Sequence, residues 1–342
     1  MMPLEFTESL GTPSLLDVQN LTVRFGETVA VRGLDFTIRH SETVALVGES
    51  GCGKSATALS LLRLLPPAGQ VTSGTIAFEG QDILRLPLAA LRRLRGGAIS
   101  MIFQEPMSAL NPVLTIGRQI TEAIREHGAM SARAARARAI ELLDLVRIPN
   151  AHRRVDEFPH SLSGGMRQRV MIAIAVACRP RLLIADEPTT ALDVTIQAQV
   201  LELLDRLRRE MSMGLLLITH DLGIVSDWAD RVIVMYAGRK CEEAPVETLF
   251  QTPLHPYTHG LIACSPRPGA DVHFRNGRLP EIAGTVGSAA NASGCPFAPR
   301  CDSAQPACWT LRPEATHAGD PHHLVACPVH APTAASDVFA VG

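Results

Sequence analysis

Short apolar segments alternate with helical patterns along the chain up to residue 253. A short apolar run bounded by turn residues is typical of a strand buried in a sheet. Such runs occupy residues 43–47, 98–103, 181–185, 215–219 and 231–236. Helical patterns occupy residues 56–65, 132–145 and 163–178. This alternation predicts an α/β body.

The composition changes near residue 253. Of the 24 prolines and 12 histidines, 11 prolines and seven histidines lie after that point. The change predicts a first domain over residues 1–253 and a small irregular extension, rich in Cys and Pro, over residues 254–342. The formal net charge is −2, with 32 basic and 34 acidic residues. This balance argues against binding to nucleic acid through bulk positive charge.

The chain shows neither a membrane span nor a targeting signal in its sequence. No run of about 18 uncharged apolar residues occurs, which is the length needed to cross a bilayer. Residues 1–9 carry acidic groups and lack the apolar core of a signal peptide. We therefore expect a cytosolic protein.

A glycine-rich segment follows the predicted strand at residues 43–47. Residues 48–55 fit the pattern G-x-x-x-x-G-K-[ST], in which backbone N–H groups surround phosphate at the start of a helix. Lys54 would reach the β- and γ-phosphates, and the Ser55 hydroxyl would ligate Mg²⁺. The alternative is a turn that binds nothing. The predicted ATP-binding residues here are Gly48, Glu49, Ser50, Gly51, Cys52, Gly53, Lys54, Ser55 and Ala56.

Two acidic residues end the apolar run at 181–185. A strand buried on both faces brings its last carboxylates to the edge of the sheet where phosphates bind. Asp186 would hold Mg²⁺, and Glu187 would activate the attacking water. The alternative is a helix cap, since Pro188 begins a new segment.

The segment LSGGMRQR, residues 162–169, places Ser163 as a helix cap before Gly164 and Gly165. Together with the later DEPTTALD segment, it resembles the signature motif of ABC ATPases. The resemblance implies a P-loop ABC ATPase core with a mixed sheet and an inserted helical subdomain at about 105–178. It also implies that Ser163, Gly164, Gly165 and Gln168 face the ATP bound by a partner subunit.

The other motifs of this family can be matched one by one. Gln104 resembles the Q-loop glutamine, which contacts Mg²⁺ and the reacting water. His220 resembles the switch histidine at the γ-phosphate, and Asp193 resembles the D-loop aspartate. Phe25 resembles the aromatic residue that stacks on adenine. All the groups predicted to act on ATP lie before residue 221.

The same resemblance implies an assembly. In this family the signature of one subunit closes over the ATP of the other, so we expect a dimer with a second ATPase subunit, which is usually a different chain. One ATPase unit without a membrane span indicates a transporter subunit. A soluble ABC ATPase of a non-transport machine is the remote alternative.

Residues 104–112 and 252–258 closely resemble segments of the dipeptide/oligopeptide importer ATPases. This implies a peripheral subunit on the cytoplasmic face of the inner membrane, bound to two permease subunits and supplied by an extracytoplasmic peptide-binding protein. Importers for nickel, a metallophore, glutathione or an oligosaccharide in the same family are the alternatives.

Four cysteines lie within 33 residues, in the pattern C-x5-C-x6-C-x18-C. In a reducing compartment such a group favours metal over disulfides, and the wide spacing suits an iron–sulfur cluster better than zinc. Zinc or no metal are the alternatives. Some relatives in this importer family carry a [4Fe–4S] cluster, and the resemblance favours one here. Its ligands would be Cys295, Cys301, Cys308 and Cys327.

Overall fold

The structure is a computed structural model that describes residues 14–104, 109–190, 192–265, 281–285 and 292–330. Its strands are β1 (Leu16–Phe25), β2 (Thr28–Ile38), β3 (Thr43–Val47), β4 (Gly69–Phe78), β5 (Gln81–Asp82), β6 (Ile99–Ile102), β7 (Leu182–Asp186), β8 (Gly214–Thr219), β9 (Arg231–Tyr236), β10 (Arg239–Pro245), β11 (Thr316–His317) and β12 (Leu324–Val325). Its helices are α1 (Lys54–Leu61), α2 (Leu88–Leu94), α3 (Ile116–His127), α4 (Ala132–Leu145), α5 (Ala151–Arg154), α6 (Gly164–Val176), α7 (Val194–Met211), α8 (Leu222–Trp228), α9 (Val246–Gln251), α10 (Pro256–Cys264) and α11 (Pro306–Thr310).

Two sheets organise these elements. The larger sheet has the strand order β11-β12-β10-β9-β3-β8-β7-β6, and its five strands from β9 to β6 run parallel. The smaller sheet is antiparallel, with the order β2-β1-β4-β5. Because the larger sheet combines parallel and antiparallel pairs, the predicted α/β fold with a mixed sheet is confirmed.

The central strands have the burial expected of apolar runs. Every residue of β3, β7 and β8 is buried, since helices and the smaller sheet cover both faces. All five predicted strands are present. The first predicted helix differs in its bounds, because it begins at Lys54, directly after Gly53, and ends at Leu61.

A group of helices lies between β6 and β7 in the sequence. Helices α3, α4 and α6 pack together through one core that also includes residues of β7 and α7. Thr115 and Ser131 cap α3 and α4 with side-chain oxygens that accept from backbone N–H groups, which fixes where each helix begins. These helices occupy the region predicted as the inserted helical subdomain.

The extension after residue 253 packs directly against the sheet. Strand β12 pairs with β10, so the extension adds two strands to the larger sheet. Tyr257, Phe297 and Cys308 share one apolar core with residues of β3 and β9. The Glu242 carboxylate, which is fully buried, accepts from the backbone N–H groups of Leu254 and His255. Strands on both sides of the composition boundary therefore belong to one sheet and one core.

Candidate functional site

The glycine-rich loop joins β3 to α1 in a conformation that requires glycine. Gly48 and Gly53 have φ angles of 148° and 108°, in a range that residues with side chains rarely adopt. A Cβ on Gly48 would overlap the carbonyl oxygen of Met235, and one on Gly53 would lie 2.5 Å from that of Ala30. The loop is therefore held closely against β9 and β2.

Lys54 lies inside this loop. Its side-chain Nζ donates to the carbonyl oxygens of Gly48 and Glu49, at 2.7 and 3.0 Å. Cys52 differs from its neighbours, because its side chain is fully buried in the core and burial raises the pKa of its thiol. The Cys52 thiol also accepts from Lys54 Nζ, at 3.9 Å, so it lies beneath the loop lysine.

Asp186 ends β7 beside the loop. Burial raises the pKa of its carboxyl, while a hydrogen bond with Ser55 and the charge of Lys54 act in the opposite direction. Its Oδ1 is buried and has no hydrogen-bond partner among the described residues. A buried carboxylate oxygen without a partner, next to a hydroxyl, matches the oxygen ligands that Mg²⁺ prefers. Asp186 and Ser55 therefore fit a magnesium ion.

Glu187 is the most extensively hydrogen-bonded acid at this edge of the sheet. Its Oε2 accepts from Gln104 Nε2 and from Thr190 Oγ1, each at 2.9 Å. Its Oε1 lies 3.3 Å from His220 Nδ1. The backbone has a φ of 47°, which is uncommon for a residue with a side chain and is typical of functional sites. Glu187 thus brings the predicted glutamine and histidine to one point.

The charge state of Glu187 follows from these contacts. Burial opposes its ionisation, but hydrogen bonds from Thr190 and His220 outweigh burial and hold its pKa below the usual value. The carboxylate is therefore ionised at neutral pH and can accept a proton. His220 is 63% exposed, so its imidazole is open to a bound ligand.

Phe25 is the last residue of β1. Its ring packs on Gly69, where a Cβ would lie 2.6 Å from the ring. The hairpin that follows Phe25 leads into β2, whose Ala30 carbonyl contacts Gly53. The smaller sheet thus connects the predicted adenine-binding side chain to the phosphate loop.

The predicted signature and D-loop residues form a second surface. Ser163 caps α6 by accepting from the Met166 N–H, and Asp193 caps α7 by accepting from the Ile196 N–H. Both caps and the two signature glycines line one surface cavity. Gln168 is only 1% exposed, so its side chain lies beneath this surface. Its buried Nε2 has no hydrogen-bond partner among the described residues, and its predicted role at the partner's ATP stays a prediction.

Two residues of the C-terminal extension reach the phosphate loop. The Glu49 N–H donates to the Tyr257 hydroxyl at 2.8 Å, and the Glu49 carboxylate forms an ion pair with Arg300. Residues after position 221 therefore contact the predicted ATP-binding loop, although every group predicted to act on ATP precedes residue 221. Tyr257 lies in the recognised segment 252–258, whereas no sequence signal pointed to Arg300. Thr190 was also missed, although it lies in the DEPTTALD segment.

Comparisons with known proteins agree with this geometry. The family model "ABC transporter" matches residues 31–190, and "Oligopeptide/dipeptide transporter, C-terminal region" matches residues 241–308. Proteins of Brucella abortus and Brucella suis, both named as peptide import ATP-binding proteins, are 52% identical over 332 residues. The alignment covers 96% of this chain and 98% of each relative. The chain belongs to the ABC transporter ATPases.

Solved structures of ABC cassettes share the fold. A dimeric ATP-binding cassette in a post-hydrolysis state, bound to ADP and phosphate, is 29% identical with a TM-score of 0.61, and the match covers 68% of this chain and 98% of that one. The cbiO1 protein from Clostridium perfringens, part of the ABC transporter complex cbiONQ, is 26% identical with the same TM-score, over 70% and 92%. The predicted ABC ATPase is confirmed.

Two further predictions for this ABC ATPase concern membrane-spanning helices and the segment at residues 104–112. In the part of the chain that the structure describes, no helix is long and apolar enough to span a bilayer. Of the segment at 104–112 that resembles the importer ATPases, residues 105–108 lie outside the described residues.

The four predicted metal-binding cysteines lie near one another, but no metal-binding group is found among the described residues. Burial raises the pKa of Cys295, Cys301 and Cys327, and the nearby Cys308 thiol raises each further, so the thiols are neighbours. Yet within the described ranges no group of three or more His, Cys, Asp or Glu side chains is arranged to hold a metal ion. The Cys308 thiol accepts from the Gln305 N–H at the start of α11. The structure therefore supports neither a [4Fe–4S] cluster nor zinc.

Proposed function

We propose that this ABC ATPase binds and hydrolyses ATP to power the import of dipeptides or oligopeptides. The observation that carries the proposal is the hydrogen-bonded group of Glu187, Gln104 and His220 beside the phosphate loop. The oligopeptide/dipeptide C-terminal region and the peptide import names of the relatives support the choice of cargo. Nickel, a metallophore, glutathione and an oligosaccharide remain the alternative cargoes.

Each predicted site residue would have a specific role in binding or hydrolysing ATP. The loop N–H groups and Lys54 would bind the phosphates, and Phe25 would stack on adenine. Asp186, Ser55 and Gln104 would hold Mg²⁺, which, when bound, neutralises charge on the phosphate oxygens. Glu187, ionised and oriented by Thr190, would accept the proton of the attacking water. His220 would contact the γ-phosphate.

The second surface supports a shared site. Ser163, Gly164, Gly165 and Asp193 line one cavity of the chain and are available to the ATP of a second ATPase subunit. One of the similar cassettes is described as dimeric with ADP and phosphate bound. We infer that two such subunits enclose two ATP molecules. The mate is a second ATPase, which in this class is usually a different chain.

The remaining partners follow from the importer assignment. The ATPase pair would bind two permease subunits at the cytoplasmic face of the inner membrane, and an extracytoplasmic peptide-binding protein would deliver the cargo. A soluble ABC ATPase of a non-transport machine is the alternative from another functional class. Neighbouring genes for permeases and a binding protein would favour the importer.

The metal centre predicted from Cys295, Cys301, Cys308 and Cys327 stays a separate hypothesis, with no step in the ATPase reaction. Its support is the spacing of the cysteines and the mutual proximity of their thiols. Because thiolates are the metal-binding form, binding would release protons from these thiols. Elemental analysis of protein purified without oxygen distinguishes iron, zinc and no metal.

Reconstitution tests the cargo. The ATPase, its mate and the permeases would be placed in liposomes, and ATP hydrolysis measured with the binding protein that is encoded beside them. We expect hydrolysis to rise when this binding protein carries a peptide and to stay low when it is empty. If hydrolysis rises when the binding protein carries nickel, glutathione or an oligosaccharide, and does not rise when it carries a peptide, the cargo is that alternative.

A further inference from the structure

Glu49, the second residue of the phosphate loop, is bound through all of its polar groups. Its N–H donates to the Tyr257 hydroxyl at 2.8 Å, and its carbonyl oxygen accepts from Lys54 Nζ at 3.0 Å. Its two carboxylate oxygens accept from the two terminal nitrogens of Arg300, at 2.7 and 2.9 Å. Two residues of the C-terminal extension therefore hold the residue whose carbonyl binds the loop lysine.

Arg300 is fixed as firmly as Glu49. A guanidinium group has five N–H donors in a rigid plane, and here each has an acceptor. Besides the two bonds to Glu49, Nε donates to the Ala283 carbonyl, Nη2 to the Ile282 carbonyl and Nη1 to the Tyr236 hydroxyl, at 2.7, 2.9 and 3.3 Å. The Arg300 side chain is 4% exposed and that of Glu49 is 25% exposed, so solvent screens this ion pair only in part.

The position of the pair gives it an electrostatic effect on anions. The Glu49 carboxylate belongs to a loop whose ligand carries several negative charges, and alone it would repel them. Arg300 neutralises that carboxylate, and the Glu49 hydrogen bonds raise the pKa of Arg300, which keeps it charged. The extension thus supplies the positive charge that makes an acidic residue compatible with a phosphate loop.

We propose that Arg300 is a positioning residue for ATP, which acts through Glu49 on the phosphate loop and on Lys54, and that Tyr257 assists it by binding the Glu49 N–H. The ATP site of this chain then includes its C-terminal extension. This inference rests on the proposed binding of ATP by the loop.

Nucleotide binding by the full-length chain tests the inference. The dissociation constant for a fluorescent ATP analogue would be measured for the wild type, Arg300→Met, Tyr257→Phe and the double variant Arg300→Met/Glu49→Gln. Arg312→Met is the matched control, because Arg312 is an exposed arginine of the same extension that donates to the Ala292 carbonyl. Thermal unfolding of each variant would be recorded alongside.

Removing the charge of Arg300 should leave a repulsive carboxylate, so we expect the dissociation constant of Arg300→Met to rise about tenfold. Adding Glu49→Gln should bring it back to within about threefold of the wild type, because the repelling charge is gone. Tyr257→Phe should raise it about threefold through the lost hydrogen bond. Arg312→Met should leave it unchanged.

The outcomes separate the possible failures. A dissociation constant for Arg300→Met equal to that of the wild type would overturn the inference alone, and a double variant no better than Arg300→Met would show a merely structural role. If Arg300→Met does not fold, an unchanged constant for Tyr257→Phe would overturn the inference. A wild-type chain that does not bind the analogue would overturn the proposed function as well.

Discussion

Replacing the carboxylate of Glu187 by an amide is the sharpest test of the reaction chemistry. In Glu187→Gln the amide oxygen can take the place of Oε2, which accepts from Gln104 and Thr190 at 2.9 Å. The amide nitrogen then lies where Oε1 does, 3.3 Å from His220 Nδ1, to which it can donate. The two contacts of Oε2 survive, and the third survives when the imidazole carries its proton on Nε2, so the variant should fold and bind ATP as the wild type does.

The loss should appear in the rate of hydrolysis. General-base catalysis contributes about 10²- to 10⁴-fold, so we expect turnover to fall by that factor, equivalent to about 3–5 kcal/mol in the activation barrier. The reason is that the Glu187 carboxylate, which its lowered pKa keeps ionised at neutral pH, can take a proton from the attacking water during the reaction, whereas an amide cannot.

The assay is phosphate release by the purified ATPase under saturating ATP, with binding of a fluorescent ATP analogue measured in parallel. Glu141→Gln serves as the control, because Glu141 lies on α4, is 62% exposed and pairs with Arg138 of the same helix. Turnover of Glu187→Gln within a few-fold of the control would refute the assignment of Glu187 as the base. Loss of ATP binding would show that the carboxylate acts in the ground state.

Three further predictions concern other parts of the chain. Burial raises the pKa of Asp186 above its value in the unfolded chain, so at any pH above that unfolded pKa the ionised carboxylate lowers the stability of the fold. Asp186→Asn should therefore raise the unfolding temperature at pH 7 without Mg²⁺. It should also abolish the further rise in unfolding temperature when Mg²⁺ and ATP are added. A Cβ at residue 165 would lie 2.8 Å from the Ile196 side chain. In an assembled heterodimer, Gly165→Ala should therefore impair hydrolysis at the site whose loop lysine belongs to the mate. Impairment confined to the Lys54 site would contradict a shared site. If the four cysteines bind a [4Fe–4S] cluster, protein purified without oxygen contains about four irons per chain, and serine at any of the four positions should remove them. One zinc per chain would assign the alternative metal, and the absence of metal would refute the hypothesis.

The ATP site could be predicted from the sequence because its parts follow from local rules. A glycine loop after a buried strand and carboxylates at the end of another must meet, since parallel strands bring their carboxyl ends to one edge. The structure places Lys54, Asp186 and Glu187 at that edge. The hydrogen bond between Gln104 and Glu187 joins residues 83 positions apart, yet both follow neighbouring parallel strands. Their contact is thus a consequence of strand order.

The contacts of the extension could not be predicted in this way. Glu49 and Arg300 are 251 positions apart, and Arg300 lies in a short 3-10 helix (Ala298–Arg300) without strand or helix periodicity around it. The burial of Cys52 could not be predicted either, because it occupies one of the positions of the loop motif where any residue is allowed, and its neighbours show no apolar pattern. Proximity of four cysteines in sequence also does not fix the directions of their side chains.

The extension is attached to the sheet by polar groups as well as by apolar burial. Glu242 is fully buried, and it is compensated by the N–H groups before α10 and by His323, whose Nε2 lies 2.7 Å from its Oε1. These bonds fix the start of α10, and α10 carries Tyr257 to the phosphate loop.

Breaking a buried charged pair by removing one partner costs about 3–5 kcal/mol, because the other charge stays buried without compensation. Truncation at the composition boundary would remove the partners of Glu242, which is fully buried, and of Glu49, whose side chain is 25% exposed and whose loss of a partner would therefore cost less than this range. We therefore expect that cutting the chain where its composition changes would lower the stability of the part that precedes the cut. The extension completes the sheet, neutralises an acid of the phosphate loop and so belongs to the ATPase it follows.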